Sequence, residues 1–202
     1  MRQVLTAFVV LALLPTFVTA EDDGWISLFD GKTYEGWKIN ESEESWKIEE
    51  GAFVANGLRS HLFYVGEHKE LTNFELKIDV MTRQGSNGGI FIHTKYQESG
   101  WPAWGYESQV NNTQGDPQKT GGLYNTAKVL EAPAQDDVWW TQHIIVNGKH
   151  VVVKIDDKVV VDYTEPDEVD GTVRLSAGTI ALQAHDPGST ILYRNIRIKP
   201  LD

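Results

Sequence analysis

Two short stretches of the sequence each place two polar side chains of complementary chemistry two residues apart. Glu107 and Gln109 stand in the first stretch, and Gln183 and His185 stand in the second. Because alternate residues of an extended chain point to the same face, each pair is expected to share one face of a strand. A carboxylate and an imidazole can exchange protons near neutral pH, while amides hydrogen-bond hydroxyl groups. These four residues are the principal candidates for chemistry, and His185 could either shuttle protons or ligate a metal.

Aromatic residues flank the first pair. Trp101 and Trp104 precede Glu107, and Tyr124 follows it. Aromatic rings cover the C–H faces of a pyranose, while fixed polar groups read its hydroxyls. We therefore interpret residues 87–124 as the core of a carbohydrate-binding groove, in which Asn87 is a further candidate for substrate binding.

His93 is the remaining candidate on this stretch. It follows Ile90-Phe91-Ile92, and strict alternation would place it on the face of Phe91. It either lines the same groove from a neighbouring strand or caps the polar end of its own strand. Lys95 is a weaker candidate. Glu107 and His185 also have plainer interpretations, as a solvated strand carboxylate and a hydrogen-bonded surface residue.

Several familiar catalytic motifs are missing from the sequence. There is no phosphate-binding glycine loop, no Gly-x-Ser-x-Gly elbow, no His-Glu-x-x-His zinc motif and no EF-hand loop. The closely spaced acidic triplet of β-sandwich endoglucanases is also absent. This last absence disfavours ordinary glycoside hydrolysis by two carboxylates.

Short strand patterns separated by turn signals must position these residues, and no convincing amphipathic helix is present. The patterns recur about every ten residues, which is typical of an all-β sandwich or jelly roll. No strand is assigned between the Asn56-Gly57 turn and residue 71. The strands are expected near residues 25–32, 36–39, 45–49, 52–55, 71–81, 90–92, 106–110, 139–146, 150–155, 159–163, 178–185 and 191–198.

Length and net charge indicate the number of domains and exclude some classes of binding partner. Its 202 residues predict one domain, and the net charge of −11 at pH 7 predicts a surface that repels phosphates. We therefore expect no nucleic-acid partner and no binding to anionic membranes. The chain has no cysteine, which excludes disulfides and thiolate chemistry. We expect a monomer that depends on its apolar core for stability.

Residues 1–20 have the pattern of a secretory signal peptide. Met1 and Arg2 supply a positive start, residues 4–14 are almost wholly apolar, and the segment ends in Val18-Thr19-Ala20. An uncleaved membrane anchor is disfavoured, because the apolar run is short for a bilayer and Pro15 interrupts it. We expect an exported protein (periplasmic, cell-envelope or secreted), with residues 21–202 as its single domain and no membrane span after cleavage.

A series of short motifs follows a specific order along the chain. They are Leu28-Phe29-Asp30-Gly31-Lys32 with Gly36-Trp37, Asn73-Phe74-Glu75-Leu76, Asn87-Gly88-Gly89-Ile90-Phe91, Gly105-Tyr106-Glu107-Ser108-Gln109, Thr120-Gly121-Gly122-Leu123-Tyr124, Gly178-Thr179-Ile180-Ala181-Leu182-Gln183-Ala184-His185 and Tyr193-Arg194-Asn195-Ile196. Through these motifs the chain resembles the 3-keto-disaccharide hydrolase domain family, formerly a domain of unknown function. The resemblance implies an all-β, two-sheet jelly-roll sandwich of the concanavalin A-like lectin/glucanase type, with a concave sugar-binding face. This agrees with the strand spacing.

The resemblance also implies an activity, the cleavage of glycosides whose C3 hydroxyl has been oxidised to a ketone. A C3 ketone acidifies the C2 proton, so a base can remove it, the C1 substituent departs, and water adds to the unsaturated sugar. Glu107 and His185 would be the base and acid pair, in either order. Gln109 and Gln183 would orient hydroxyls, and the walls would be Trp101, Trp104 and Tyr124.

Three alternatives stay open from the sequence. A divalent metal could stabilise the enolate, with His93, Glu107 and His185 as candidate ligands. The same concave face could serve a non-catalytic carbohydrate-binding module of the cell envelope. The chain could also be a structural partner domain of the envelope, which would neither cleave nor bind sugars.

Overall fold

The computed structural model describes residues 24–202, so the predicted signal peptide at residues 1–20 lies outside the described residues. Within this range the chain folds as β-strands with one short 3-10 helix, Glu43–Ser45. The strands are β1 (Ile26–Ser27), β2 (Trp37–Ile39), β3 (Trp46–Glu49), β4 (Ala52–Ala55), β5 (Ser60–Tyr64), β6 (Phe74–Thr82), β7 (Asn87–Thr94), β8 (Tyr106–Asn111), β9 (Trp140–Asn147), β10 (His150–Ile155), β11 (Lys158–Thr164), β12 (Thr179–Ala184) and β13 (Ile191–Pro200).

These strands form two antiparallel sheets. The larger sheet has the order β11-β10-β9-β6-β13-β4-β3, with β1 paired to β13, and the smaller sheet has the order β2-β5-β12-β7-β8. Strands that neighbour each other in a sheet are often distant in sequence, as in a jelly roll. The predicted all-β, two-sheet sandwich is confirmed.

The core lies between the two sheets. Along β6, the apolar residues Phe74, Leu76, Ile78 and Val80 are fully buried, while the residues between them are partly exposed. Apolar side chains of β7 and β12 cover them from the smaller sheet. This period of two is what a strand with one solvated face requires.

Gly88 lets the two sheets approach each other closely on the core side of the smaller sheet. A Cβ added to Gly88 would lie 2.3 Å from Ile191 Cδ1 of the opposite sheet and 3.1 Å from the carbonyl oxygen of Gln183. Below the same point, the Tyr193 hydroxyl donates a hydrogen bond of 3.2 Å to that carbonyl oxygen. The strand that carries Gln183 is therefore held from the core side.

The strand β5 is missing from the sequence prediction. All five of its residues, Ser60 to Tyr64, are buried, because β5 lies between β2 and β12 and both of its faces are covered. A strand covered on both faces does not show the alternation of polar and apolar residues by which half-buried strands are recognised. The omission matters because β5 belongs to the sheet that carries the predicted site.

Throughout residues 24–202, helices of the length and apolar character needed to cross a membrane are absent.

Candidate functional site

A cleft of about 440 Å³ opens on the outer face of the smaller sheet. Strands β8 and β12 supply its principal polar side chains, and β7 runs between them. The predicted residues that line it are Asn87, Trp101, Glu107, Gln109, Tyr124, Gln183 and His185. The structure therefore brings the Glu-x-Gln and Gln-x-His pairs to one cleft.

Glu107 reaches Gln183 across the intervening strand. Gln183 Nε2 donates a hydrogen bond of 3.2 Å to Glu107 Oε1. The carboxylate passes over Gly89, where an added Cβ would lie 2.2 Å from Glu107 Oε1 and 2.8 Å from Glu107 Cγ. The adjacent residues Gly88 and Gly89 thus leave space on opposite faces of β7. Gly88 does so on the core side and Gly89 on the cleft side.

The surroundings of Glu107 favour its protonated form. Burial withdraws the carboxyl group from water and raises its pKa from 4.5 to about 8. The hydrogen bond from Gln183 opposes this shift, and the negative charge of Asp116 adds to it. Glu107 consequently carries a proton at neutral pH, unlike a solvated strand carboxylate.

His185 forms a hydrogen-bonded pair with the next residue. Its Nδ1 lies 2.7 Å from Asp186 Oδ2, and because a carboxylate can only accept, Nδ1 carries the proton. Burial alone would raise the pKa of Asp186, but hydrogen bonds from His185, the Gly188 N–H and Ser189 lower it below its ordinary value. In neutral His185 the lone pair therefore lies on Nε2, which is the arrangement of an oriented general base.

Three amide side chains on the cleft floor have unsatisfied acceptor atoms. Asn87, Gln109 and Gln183 are each less than about a twentieth exposed. Their side-chain oxygens have no hydrogen-bond partner in the described part of the chain. Buried polar atoms are normally paired, so these three unpaired oxygens are exceptions and are candidate acceptors for the hydroxyl groups of a ligand.

The walls of the cleft are aromatic and apolar. Trp101 is 46% exposed, and its ring lies 5.2 Å from the His185 ring. Tyr124 stands among the other lining residues and donates a hydrogen bond of 3.1 Å to Asp116. Trp104 is not among the lining residues, and its ring lies beneath the ammonium group of Lys95 at 4.0 Å.

His93 does not line the cleft, which corrects its expected placement. Its backbone has a φ of +53°, and the pairing of β12 with β7 shifts register at this point. Such a bulge breaks the alternation, so His93 no longer shares the face of Phe91. Its ring lies edge-on to Phe74 at 5.6 Å, Nε2 lies 2.9 Å from the Thr72 carbonyl oxygen, and Nδ1 accepts from Ser176 N at 3.1 Å.

This displacement also bears on the metal alternative. Of His93, Glu107 and His185, only the last two line the cleft. From residue 24 to the end of the chain, no three His, Cys, Asp or Glu side chains are grouped closely enough to hold a metal ion. The side chains therefore do not fit the metal centre considered from the sequence.

Comparison with known proteins shows the family to which the chain belongs. The family model described as the 3-keto-alpha-glucoside-1,2-lyase-like domain matches residues 24–199. The chain belongs to this family. A 3-keto-disaccharide hydrolase from Bacteroides thetaiotaomicron is 35% identical over an alignment of 78 residues, which covers 34% of this chain and 27% of that protein. The match thus spans about a quarter of the relative's length.

Solved structures show the same fold as this 3-keto-alpha-glucoside-1,2-lyase-like domain. A Parabacteroides distasonis protein with a provisional glycosyl hydrolase assignment superimposes with a TM-score of 0.75 at 23% identity, covering 89% of this chain and 94% of the other. A prokaryotic β-1,3-1,4-glucanase (lichenase) from a mouse hindgut metagenome gives a TM-score of 0.60 at 8% identity, covering 88% and 99%. At these identities the likeness concerns the fold, and it confirms the concanavalin A-like type.

The site of this 3-keto-alpha-glucoside-1,2-lyase-like domain also contains residues that were not predicted from the sequence. Asp116 and Val173 line the cleft from loops, and Asp186 pairs with His185. His61 lies on the same face of the sheet, opposite Gln183 in the pairing of β5 with β12. The sequence pattern gave little indication of His61, because this residue belongs to β5, which lacks an alternation of polar and apolar residues.

Proposed function

We propose that this 3-keto-alpha-glucoside-1,2-lyase-like domain cleaves glycosides that carry a ketone at C3. The proposal is supported chiefly by one observation: a carboxyl group that keeps its proton and a carboxylate-oriented imidazole line the same cleft, above three amides with unsatisfied oxygens. Membership of the family and the name of the Bacteroides relative point to the same chemistry.

The reaction requires one base, one acid and one water molecule. The C3 ketone acidifies the C2–H bond, and the base removes this proton to form an enolate. The C1–O bond then breaks as the C1=C2 double bond forms, and the acid protonates the leaving oxygen. Water adds across the double bond, returning a hydrogen to C2 and a hydroxyl to C1. The net result is hydrolysis without two glycosidase carboxylates.

We assign the base to His185 and the acid to Glu107. The hydrogen bond to Asp186 keeps the proton on His185 Nδ1, so Nε2 can accept the C2 proton. Glu107 has a pKa of about 8 and therefore holds a proton that it can give to the leaving oxygen at neutral pH. The amides of Asn87, Gln109 and Gln183 hold the sugar hydroxyls, and Trp101 covers an apolar face of the ring.

A product assay tests this function. The protein is incubated with a 3-keto-glucoside disaccharide and, as a matched control, with the same disaccharide without the ketone. We expect release of 3-keto-glucose from the oxidised substrate alone, because only that substrate has an acidic C2–H bond. Cleavage of both substrates would indicate ordinary hydrolysis. Saturable binding without product would indicate the carbohydrate-binding module instead, and neither binding nor product would fit the structural domain.

A further inference from the structure

His61 is a buried imidazole on the face of the sheet that carries the cleft. It is 0% exposed, and neither ring nitrogen has a hydrogen-bond partner among residues 24–202. Its backbone is firmly held, because the His61 N–H donates a hydrogen bond of 2.6 Å to Asn40 Oδ1. The unsatisfied groups therefore belong to the ring alone. A buried side chain with two unpaired polar atoms is unusual in a structural position, where an apolar residue would serve better.

Aromatic rings surround His61. Phe91 lies edge-on to it at 5.5 Å between ring centroids, and Trp101 lies edge-on at 5.7 Å. Trp101 also contacts His185, so its indole stands between the two histidines. Trp101 is 46% exposed, so solvent borders part of this residue. Trp101 therefore both lines the cleft and packs against His61, as Phe91 does.

The neighbouring charges are already paired with each other. Arg59 Nη2 and Nε donate hydrogen bonds of 2.7 and 3.2 Å to the carboxylate of Glu41. The guanidinium group lies 5.1 Å from the Trp101 ring. With its positive charge neutralised, this corner does not favour an anion.

We infer that His61 forms the floor of a second sugar subsite, which binds the leaving sugar ring of a disaccharide when Trp101 turns aside. The inference rests on the proposed function, since it names the part of the substrate beyond the scissile bond. His61 pairs directly with Gln183, whose side chain contacts Glu107, so the new subsite adjoins the acid that protonates the leaving oxygen.

The chemistry of the pocket matches a neutral hexose. Burial lowers the pKa of His61 to about 3, so its ring is neutral and offers one N–H donor and one nitrogen acceptor. A sugar hydroxyl can satisfy either atom, and the Phe91 ring beside His61 can cover a C–H face of the sugar. Placing a sugar there supplies partners for both ring nitrogens.

The experiment compares two substrates in wild type and His61→Phe. One substrate is a 3-keto-glucoside disaccharide, and the other is the methyl 3-keto-glucoside, which has no second ring. We expect His61→Phe to raise KM for the disaccharide about tenfold, the effect of losing one or two hydrogen bonds, and to leave KM for the methyl glucoside within about twofold. As a control, His150→Phe removes a histidine from the larger sheet, where it bonds to Asp162, and should change neither value.

Each outcome decides the inference separately from the proposed function. Equal changes for both substrates, or no change for either, would overturn the subsite. A fall in Tm for His61→Phe accompanied by equal losses would assign His61 a structural role. If the wild type cleaves neither substrate, the proposed function fails, and calorimetric binding of the disaccharide decides the subsite alone. Weaker binding by His61→Phe than by wild type would still support it, and identical affinities would refute it.

Discussion

At the scale of single residues, the site depends on Glu107 lying flat over a residue without a side chain. The carboxylate is desolvated because it rests on strand β7, and it can rest there because Gly89 leaves space for it. Gly89 therefore leaves the space in which the carboxyl group lies, and burial there is the main cause of its raised pKa. The sequence shows both residues, but their contact is visible only when the register of β7 and β8 is known.

Gly89→Ala should impair activity more than stability. The added methyl carbon would lie 2.2 Å from Glu107 Oε1, which is closer than van der Waals contact allows. It would therefore force the carboxyl group off the cleft floor. We expect kcat for a 3-keto-disaccharide to fall by at least about tenfold, the order expected when a proton-transfer group is displaced. Gly115→Ala is the matched control, because a Cβ at Gly115 meets no atom within 4 Å.

Gly88→Ala completes the comparison. Its methyl would meet Ile191 in the core, so this variant should lower Tm. Steady-state kinetics and thermal unfolding of the three variants check the prediction. A Gly89→Ala protein with wild-type kcat would contradict the role given to this contact.

The protonation of Glu107 also predicts how stability depends on pH. The pKa is about 8 in the folded protein and 4.5 in an ordinary solvated carboxyl. Between these values the folded state binds the proton and the unfolded chain releases it, so the contribution of Glu107 to stability is lost as pH rises through the window. Glu107→Gln cannot ionise and should lose less stability over the same range.

Thermal unfolding of both proteins at several pH values between about 4 and about 9 measures this effect. The Tm of Glu107→Gln minus that of wild type should grow with pH, since all other titrations are shared. A difference that stays constant would mean that the carboxyl group is not desolvated in the folded protein.

At the scale of elements, the register of the smaller sheet decides which side chains meet. Strand β8 is regular, so alternation correctly places Glu107 and Gln109 on one face and Tyr106 on the other. Strand β7 contains a bulge at its end, so the same rule fails at His93. A left-handed residue inside a strand leaves no signature in the pattern of polar and apolar residues.

Loop residues of the site were not predictable for a different reason. Asp116 and Val173 come from the segments between β8 and β9 and between β11 and β12. Loop positions carry no periodicity, and their place in space follows from tertiary contacts. Motif order was enough to predict the sandwich and the principal pairs, but not the groups that complete the cleft.

One such tertiary contact fixes the loop that carries Val173. The Tyr106 hydroxyl donates a hydrogen bond of 2.8 Å to Glu165 Oε2, and the Leu175 N–H donates one of 2.6 Å to the same oxygen. Both side chains of the first bond are buried. Tyr106→Phe should reduce the free energy of unfolding by about 1–3 kcal/mol, because it leaves a buried carboxylate short of a partner.

Tyr96→Phe is the control for this variant. It removes the same atom from a hydroxyl that bonds to Glu98 at the surface, and it should cost less than about 0.5 kcal/mol. Urea denaturation gives both values. Equal losses for the two variants would show that the Glu165 contact has no special importance for the loop.

At the scale of the whole molecule, the sandwich uses its two sheets for different purposes. The larger sheet closes the core, and the smaller sheet presents the cleft on its outer face. The net charge of −11 favours a dispersed protein, since like-charged molecules repel each other. We therefore retain the prediction of a monomer.

Small-angle scattering tests the assembly state. A compact monomer of this length should have a radius of gyration of about 16 Å. A distinctly larger value at low protein concentration would contradict a monomer. The measurement also bears on the cleft, because a partner subunit covering the smaller sheet would block substrate entry.

The proposed role of Glu107 as the acid is tested most directly by the effect of the leaving group on kcat of the Glu107→Gln variant. We propose to measure kcat of wild type and variant on a 3-keto-glucoside disaccharide and on the 4-nitrophenyl 3-keto-glucoside. The alkoxide of a sugar needs a proton to depart, whereas 4-nitrophenolate does not. The variant should lose at least about a hundredfold in kcat on the disaccharide and less than about tenfold on the nitrophenyl substrate. Equal losses on both substrates, or full activity on the disaccharide, would contradict the assignment of Glu107 as the acid.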